Sequence, residues 1–143
     1  MDNEQALRQK LIERVTAAAT MLAVDVRGAL RDATPRSQQG QSHTADQWTA
    51  TPPTFDGQAI TFTVRNQRAQ IIEWLRFGTQ AHWILPVKAR ALHWVGPGGE
   101  DVFARRVFHR GTTGNDFLYG PEGVLAERNL SDMTRAAFER TRR

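Results

Sequence analysis

The sequence predicts a single α+β domain over residues 1–143, with a mostly antiparallel sheet of about four to five strands. Three helices accompany the sheet: a long N-terminal helix, a short middle helix and a C-terminal helix. Three observations predict this class. Apolar residues recur every three or four positions near the N-terminus, polar and apolar residues alternate further along, and glycine-rich turns separate the later segments.

The N-terminal helix is predicted over residues 4–32, where apolar residues recur at helical spacing. Asn3 or Asp2 can cap its start, and Thr34-Pro35 ends it because proline disfavours helical geometry in the residue before it. Such a helix would be about 42 Å long, which exceeds the width of a globule of this size. Part of it is therefore expected to contact another molecule. The recurring apolar residues are Leu7, Leu11, Val15, Ala18, Leu22, Val26 and Ala29.

A polar loop and a hairpin are predicted next. Residues 34–47 are rich in Ser, Gln and Gly, which is typical of a mobile loop that can become ordered against a partner. Residues 48–51 and 58–65 are predicted strands, and the second alternates cleanly between apolar and polar residues. Asp56-Gly57 suits the turn between them, whereas Pro52-Pro53 confines the first strand to an edge or ends it early.

The second half is predicted to contain a short helix followed by three strands. The helix covers residues 67–76 and ends at Gly78, because glycine readily adopts the backbone geometry that stops a helix. Glycine and proline at positions 96–99 suit a hairpin turn between the last two strands. Trp83 and Trp94 would lie on neighbouring strands, where core or subunit contact is favoured over stacking on bases. The three strands cover residues 82–87, 90–95 and 100–108.

The chain is predicted to close with a flexible loop and a helix. Residues 109–120 contain three glycines and show no apolar periodicity, which is typical of a loop. Pro121 suits the first turn of a helix that runs to about residue 140. The apolar face of this helix would use Val124, Leu125, Met133, Ala137 and Phe138.

Composition excludes several classes of function. The chain has no cysteine, so it has no disulfide, no thiolate metal site and no cysteine nucleophile. No window approaches the roughly 20 apolar residues of a membrane span, so no membrane partner is expected. The acidic and polar N-terminus differs from the basic, apolar start of an export signal, so no such signal is expected.

The charge of the chain is mildly basic and widely spread. The 19 Lys and Arg residues outnumber the 15 Asp and Glu residues, and every basic residue except Lys10 and Lys88 is an arginine. Arginine pairs well with either carboxylate or phosphate, so protein and nucleic-acid partners both remain open. The basic residues form no polybasic run, which favours a solvated basic surface over a DNA-binding arm.

Three histidines, His82, His93 and His109, fall near predicted strand ends, and three imidazoles can hold a catalytic zinc. None has a local ligand spacing, so structural or hydrogen-bonding roles are favoured. A ribonuclease-like site is the stronger enzymatic alternative, but no motif requires its residues to be close together. The Thr112-Thr113-Gly114 segment lacks the pattern of a phosphate-binding loop. We therefore expect no catalytic residue, no metal and no cofactor.

A series of short motifs runs in a fixed order from residue 77 to residue 118. It comprises Phe77, Gly78, Thr79, His82, Ile84, Pro86, Ala91, Leu92, Phe103, His109, Gly111, Thr112, Phe117 and Leu118. Their order and spacing resemble the tail-completion, or head-to-tail joining, family of long-tailed bacteriophages, over about residues 60–140. Arg76 stands where that family commonly has an acidic residue, and Arg110 stands where it commonly has a proline.

This resemblance implies a non-enzymatic virion protein that forms a ring, typically of six copies, in the phage neck. One side would contact a head-completion or connector protein, and the other side a tail terminator or tail tube protein. Genomic DNA would pass through the lumen without specific binding, and assembly would take place in the host cytoplasm. The expected interface residues in the two loops are Arg36, Ser37, Gln38, Gln39, His43, Arg110, Thr113 and Asn115. The alternative is a small basic nucleic-acid-binding or RNA-cleaving protein.

Overall fold

The architecture is that of a computed structural model, which describes residues 2–36 and 43–142. It confirms the α+β class, because three helices combine with short antiparallel strands. The helices are a long N-terminal helix, a short middle helix and a C-terminal helix, as the sequence predicts. They are α1 (Asn3–Ala33), α2 (Ala69–Phe77) and α3 (Glu127–Arg140). Within the described ranges, no helix is both long enough and apolar enough to cross a membrane.

Helix α1 begins and ends close to the predicted residues. Its first turn is capped by Asp2, whose Oδ1 accepts a hydrogen bond of 2.7 Å from the backbone N–H of Gln5. It ends at Thr34, whose backbone N–H and hydroxyl both donate back into the last turn. The 31 residues span about 46 Å. The buried α1 side chains all lie at residue 18 or beyond, whereas Leu7 and Leu11 are 71% and 61% exposed.

The described end of the predicted loop over residues 34–47 has regular structure. It contains a 3-10 helix at Thr44–Gln47. Asp46 accepts hydrogen bonds of 2.9 Å from Arg36 and 3.1 Å from Arg31, and the Arg36 bond is the main cause of a lowered pKa at Asp46. Three predicted interface residues lie outside the described part of the chain: Ser37, Gln38 and Gln39.

The first hairpin is divided into two short antiparallel ladders, β1 with β4 and β2 with β3. These strands are β1 (Trp48–Ala50), β2 (Thr54–Phe55), β3 (Ile60–Thr61) and β4 (Val64–Asn66). The single strand predicted over residues 58–65 is therefore two strands, although its alternation of half-buried and exposed side chains is confirmed. The ladder breaks because Pro52 and Pro53 lack backbone donors and together stand opposite the single residue Phe62.

After α2, six short strands replace the three long strands that the sequence predicts. They pair in order as β5 with β10, β6 with β9 and β7 with β8, all antiparallel. The strand predicted over residues 100–108 is interrupted at Arg105-Arg106, and the one predicted over 82–87 ends at Ile84. The six are β5 (Gly78–Thr79), β6 (His82–Ile84), β7 (Leu92–Val95), β8 (Asp101–Ala104), β9 (Val107–His109) and β10 (Thr112–Thr113). The described strands thus form five separate two-stranded ladders.

Helix α3 begins at Glu127, later than the predicted start at Pro121. The intervening residues form tight turns instead, in which the Gly123 backbone N–H donates to the Gly120 carbonyl at 2.8 Å. The side chain of Asn129, in the first turn of the helix, donates to the Gly123 carbonyl at 2.8 Å and so holds the turns against α3. The predicted apolar residues Val124 and Leu125 still face the core, but from these turns.

The core lies where the second half of α1, the first hairpin, α2 and residues 117–124 meet. Its buried members are Val26, Leu30, Trp48, Ile72, Phe117, Leu118 and Val124. The indole N–H of Trp48 donates to the hydroxyl of Thr34 at 2.8 Å, so both buried polar groups have a partner. Phe117 and Leu118 belong to the stretch predicted as a flexible loop over residues 109–120. The structure corrects that prediction, because both side chains are 7% exposed and carry part of the core.

Truncating Leu30 tests this account of the core. Leu30 is 1% exposed, so Leu30→Ala is expected to lower the free energy of unfolding by about 3 kcal/mol through lost apolar contact and a residual cavity. Leu7→Ala is the matched control, because that side chain is 71% exposed and its loss should cost less than about 0.5 kcal/mol. Urea denaturation followed by tryptophan fluorescence measures both, and equal losses would contradict the assignment.

Candidate assembly surface

Residues 78–113 form one extended two-stranded ribbon, called here the arm. The pairs run in a single register from Gly78 opposite Thr113 to Ile84 opposite Val107. Beyond a break, β7 and β8 continue the ribbon to a turn at residues 96–99. Of these arm residues, only Gly96 in that turn is buried. A two-stranded ribbon is at best marginally stable in water, so the arm needs cover from elsewhere.

The arm exposes large apolar side chains along its whole length. Phe103 is 68% exposed, Trp83 52% and Val87 95%. Single exposed apolar residues are ordinary on a protein surface, but a contiguous set on one element marks an interaction site. The large apolar side chains that the arm exposes are Trp83, Ile84, Leu85, Val87, Trp94, Val95, Phe103 and Phe108.

Both faces of the arm are apolar. Directly opposed residues share a face, and successive residues alternate between faces. Trp83 packs against Phe108 with ring centroids 5.1 Å apart, whereas Ile84 and Val107 lie on the other face. Contrary to the sequence prediction, Trp83 and Trp94 do not lie on paired strands, because β6 pairs with β9 and β7 with β8.

Two glycines fix the root of the arm, where it leaves the domain. Gly78 and Gly111 have φ angles of 77° and 84°, in the region that favours glycine. A Cβ at Gly78 would collide with the carbonyl of Thr112, and one at Gly111 would collide with the carbonyl of Thr79. The hydroxyls of Thr79 and Thr112 share a hydrogen bond of 3.1 Å across the ribbon. These motif residues therefore allow the two strands of the ribbon to approach each other closely at the root.

An ion pair attaches the returning chain to α2 just below the root. Arg76 Nε and a terminal nitrogen donate to the two Asp116 carboxylate oxygens at 2.9 and 3.3 Å. The backbone N–H groups of Leu118 and Tyr119 also donate to Asp116, at 3.3 and 3.1 Å. The Arg76 hydrogen bond is the main cause that lowers the Asp116 pKa from 3.8 to about 2. The Arg76 guanidinium also lies over the rings of Phe77 and Tyr119.

The three histidines divide into a pair and a single residue. His82 and His109 are opposed across the ribbon, with ring centroids 5.3 Å apart. His82 Nδ1 lies 2.8 Å from the Gln80 carbonyl, and His109 Nδ1 accepts from the Gly111 backbone N–H at 3.0 Å. His93 lies further along the arm, where its Nε2 is 2.8 Å from Asp101. Among the described residues, no group of three or more His, Asp or Glu side chains could hold a metal ion.

An open groove of about 740 Å³ lies between α2 and the root of the arm. Helix α2 contributes Ile71, Trp74 and Leu75 to its wall, and the arm contributes Ile84 and the paired histidines. Trp74 is 51% exposed in this wall. The groove extends the apolar surface of the arm onto the body of the domain.

The predicted motif and interface residues occupy three different places. Those from Phe77 to His82, with His109, Gly111 and Thr112, build the root, and Phe117 and Leu118 lie in the core. His43 directly precedes the 3-10 helix, and Arg36 is paired with Asp46 within that helix. The remaining predicted residues lie on the arm or at its root: Ile84, Pro86, Ala91, Leu92, Phe103, Arg110, Thr113 and Asn115. Sequence reasoning missed the arm as a unit and the Arg76–Asp116 pair.

Comparisons with protein-family models, curated proteins and solved structures return no match. The family resemblance therefore rests on the order of the motifs from residue 77 to residue 118. Because that stretch coincides with the arm, its root and two core residues, the motifs have a physical role in this fold.

The Arg76–Asp116 pair gives a prediction for the pH dependence of stability. The Asp116 pKa is lower in the folded protein than the ordinary 3.8, so its contribution is present above that pH and is lost as the pH falls toward 2. Asp116→Asn is expected to reduce stability at pH 7 and to remove this part of the acid dependence. Thermal unfolding between pH 2 and pH 7 measures both effects.

Asp132→Asn is the control for this prediction. The Asp132 carboxylate is 60% exposed and lies 3.7 Å from Arg135, so its removal should leave the acid dependence unchanged. An Asp116→Asn protein that keeps the full acid dependence of the wild type would contradict the role assigned to the pair.

Proposed function

We propose that this chain is a structural protein of the bacteriophage virion, a tail-completion protein that forms a ring of six copies in the neck. One face of the ring contacts a head-completion or connector protein, and the other contacts a tail terminator or tail tube protein. Genomic DNA passes through its lumen without sequence-specific binding. The observation that carries this proposal is the arm, whose large apolar side chains remain between 37% and 95% exposed in the described chain.

The exposed area on the arm is large enough for a stable subunit contact. Aromatic side chains bury about 150 to 250 Å² each, so the four half-exposed aromatic side chains of the arm offer on the order of 100 Å² each. The four exposed aliphatic side chains add to this about 400 Å², so the two faces together approach the ~800 Å² that each partner contributes to an interface of standard size. The arm can therefore support a specific and lasting contact.

The two apolar faces favour a ring over a simple pair. A symmetric dimer buries one patch on each copy against the same patch on its partner. A ring gives every subunit two neighbours, so both faces of the arm can be covered. The exposed residues Leu7 and Leu11 on α1, together with the groove between α2 and the arm, offer further apolar surface to neighbours.

The free protein is expected to be largely monomeric, with ring formation on the growing neck. Two neighbouring subunits can bury both apolar faces of one arm, whereas a single partner can bury only one. The larger contact then offsets the entropy lost by ordering the arm. Assembly on an existing surface would also set the order in which the head, the ring and the tail come together.

Loss of the gene is expected to block the joining of heads to tails. A phage with the gene disrupted should accumulate DNA-filled heads and separate complete tails, because the neck lacks the ring that connects them. Electron microscopy of the lysate makes the measurement, and plasmid expression of the wild-type chain should restore joined particles. Normal joined virions from the disrupted phage would overturn the proposal.

The arm is expected to be required for this function without being required for folding. Trp83→Ser combined with Phe108→Ser removes one aromatic face, so plasmid complementation of the disrupted phage should fall at least 100-fold, because several contacts per ring are lost together. Plaque counts measure complementation, and circular dichroism checks the fold. Val24→Ser, at a residue of α1 that is 65% exposed, is the control and should complement fully. Full complementation by the double variant would show that the arm is not the assembly surface.

An RNA-cleaving protein is the second candidate, and the His82–His109 pair is the observation that favours it. Two adjacent imidazoles can exchange roles as proton acceptor and donor in phosphodiester cleavage. Incubation of the purified protein with RNA, with and without a chelator, distinguishes the two functions. Cleavage that is lost in His109→Ala would favour this candidate over the neck protein.

A further inference from the structure

The middle of the arm gathers four basic side chains that are dispersed in the sequence. The pairs Ile84–Val107 and Leu92–Ala104 bracket a gap in the ribbon. One strand crosses this gap through Arg105-Arg106 alone, whereas the other crosses it through the loop of residues 85–91.

The geometry of the gap keeps this loop compact. From residue 104 to residue 107 the chain takes three steps of at most about 3.3 Å, so the ends of the loop lie within about 10 Å of each other. Lys88 and Arg90 lie in this loop and are exposed, as are Arg105 and Arg106. The four basic residues therefore share one short stretch of the arm, whose length is comparable to the Debye length of about 8 Å at physiological salt.

Nothing in the described chain neutralises this group, called here the basic cluster. No carboxylate of residues 2–36 or 43–142 forms an ion pair with any of the four side chains. The acidic residues of the arm lie near its tip, where Asp101 is bound to His93. The mutual repulsion of the four cations is thus uncompensated, which favours binding of a polyanion.

We infer that the basic cluster binds the phosphate backbone of duplex DNA. Arg90, Arg105 and Arg106 can each hold a phosphate through two hydrogen bonds. Arg106 lies 4.5 Å above the exposed ring of Trp83, which holds its guanidinium at the surface of the arm. The ribbon on either side of the gap has the width that the major groove admits, which favours a duplex over a single strand. The inference rests on the proposed function only for the source of the DNA, which would be the genome in the lumen.

The expected binding is weak, independent of sequence and sensitive to salt. Four phosphate contacts at about 0.9 counterions each predict that affinity falls roughly 100-fold between 50 and 200 mM salt. Fluorescence anisotropy with a labelled 30-base-pair duplex and the full chain makes the measurement. The variant in which Lys88, Arg90, Arg105 and Arg106 are each replaced by Gln should bind at least 10-fold more weakly at 50 mM salt and lose most of the salt dependence.

The matched control removes the same charge elsewhere. Arg8, Lys10, Arg27 and Arg128 are exposed, form none of the ion pairs of the described chain and lie off the arm, so replacing these four by Gln should leave binding within about 2-fold. An equal loss in both variants would overturn the local site. Undetectable binding of the wild type at about 100 μM protein in 50 mM salt would also overturn it, since non-specific DNA affinities lie above that limit.

Two further ligands separate the possible polyanions. A preference of more than 10-fold for single-stranded DNA or RNA of the same length would overturn the assignment to duplex. Polyglutamate that competes as well as DNA at equal charge would assign the cluster to an acidic protein surface. Failure of any of these tests leaves the neck function intact, because that function is tested by particle joining and by the Trp83 and Phe108 substitutions.

Discussion

Everything that the arm does depends on how closely two backbones approach at its root. Gly78 and Gly111 allow an approach that any side chain would prevent, and the Arg76–Asp116 pair holds the returning chain on α2 directly below. The ribbon alone does not fix its orientation relative to the rest of the domain, because it has no core beneath it. Its direction is therefore set by the root, and the position of every aromatic and basic side chain further along follows from it.

Two opposing forces act on the arm once the root has directed it into solvent. Its apolar faces favour association with other surfaces, whereas the basic cluster at its middle repels a second copy that approaches in the same orientation. Parallel stacking of two arms at their midpoints is therefore disfavoured in the absence of a polyanion. DNA bound at the cluster would remove that repulsion, so the presence of DNA and the packing of neighbouring arms would reinforce each other. This coupling is reciprocal, because a packed ring would also present more cations to the same duplex.

The parts that could be predicted from the sequence are those governed by local rules. The α1 periodicity, the Asp2 cap, the stop at Thr34-Pro35 and the glycine end of α2 each depend on residues within one or two turns. The early end of the first strand at Pro52-Pro53 is likewise local, since proline lacks a backbone donor. The break at Arg105-Arg106 and the burial of Phe117 and Leu118 depend on partners far away in the chain. The basic cluster was missed for the same reason. Basic residues that are spread along a sequence indicate a solvated surface, and only the strand register shows that residues 88 and 105 lie in the same part of the arm. The motif residues could be named from the sequence, but the role of those at the root required the pairing of β5 with β10.

In the proposed ring, the arm would make association weak between two subunits and strong within a complete set. A monomer leaves the apolar side chains of the arm exposed to water, and a single neighbour could cover only one face, at the expense of ordering the side chains that it contacts. Once one face is held, the second face is already ordered, so the next neighbour binds without that cost. In the proposed ring, association would therefore be weak for the first contact and stronger for each later one. Such cooperativity favours a closed set of subunits over scattered pairs, and it places control of assembly at whichever surface orders the first arm.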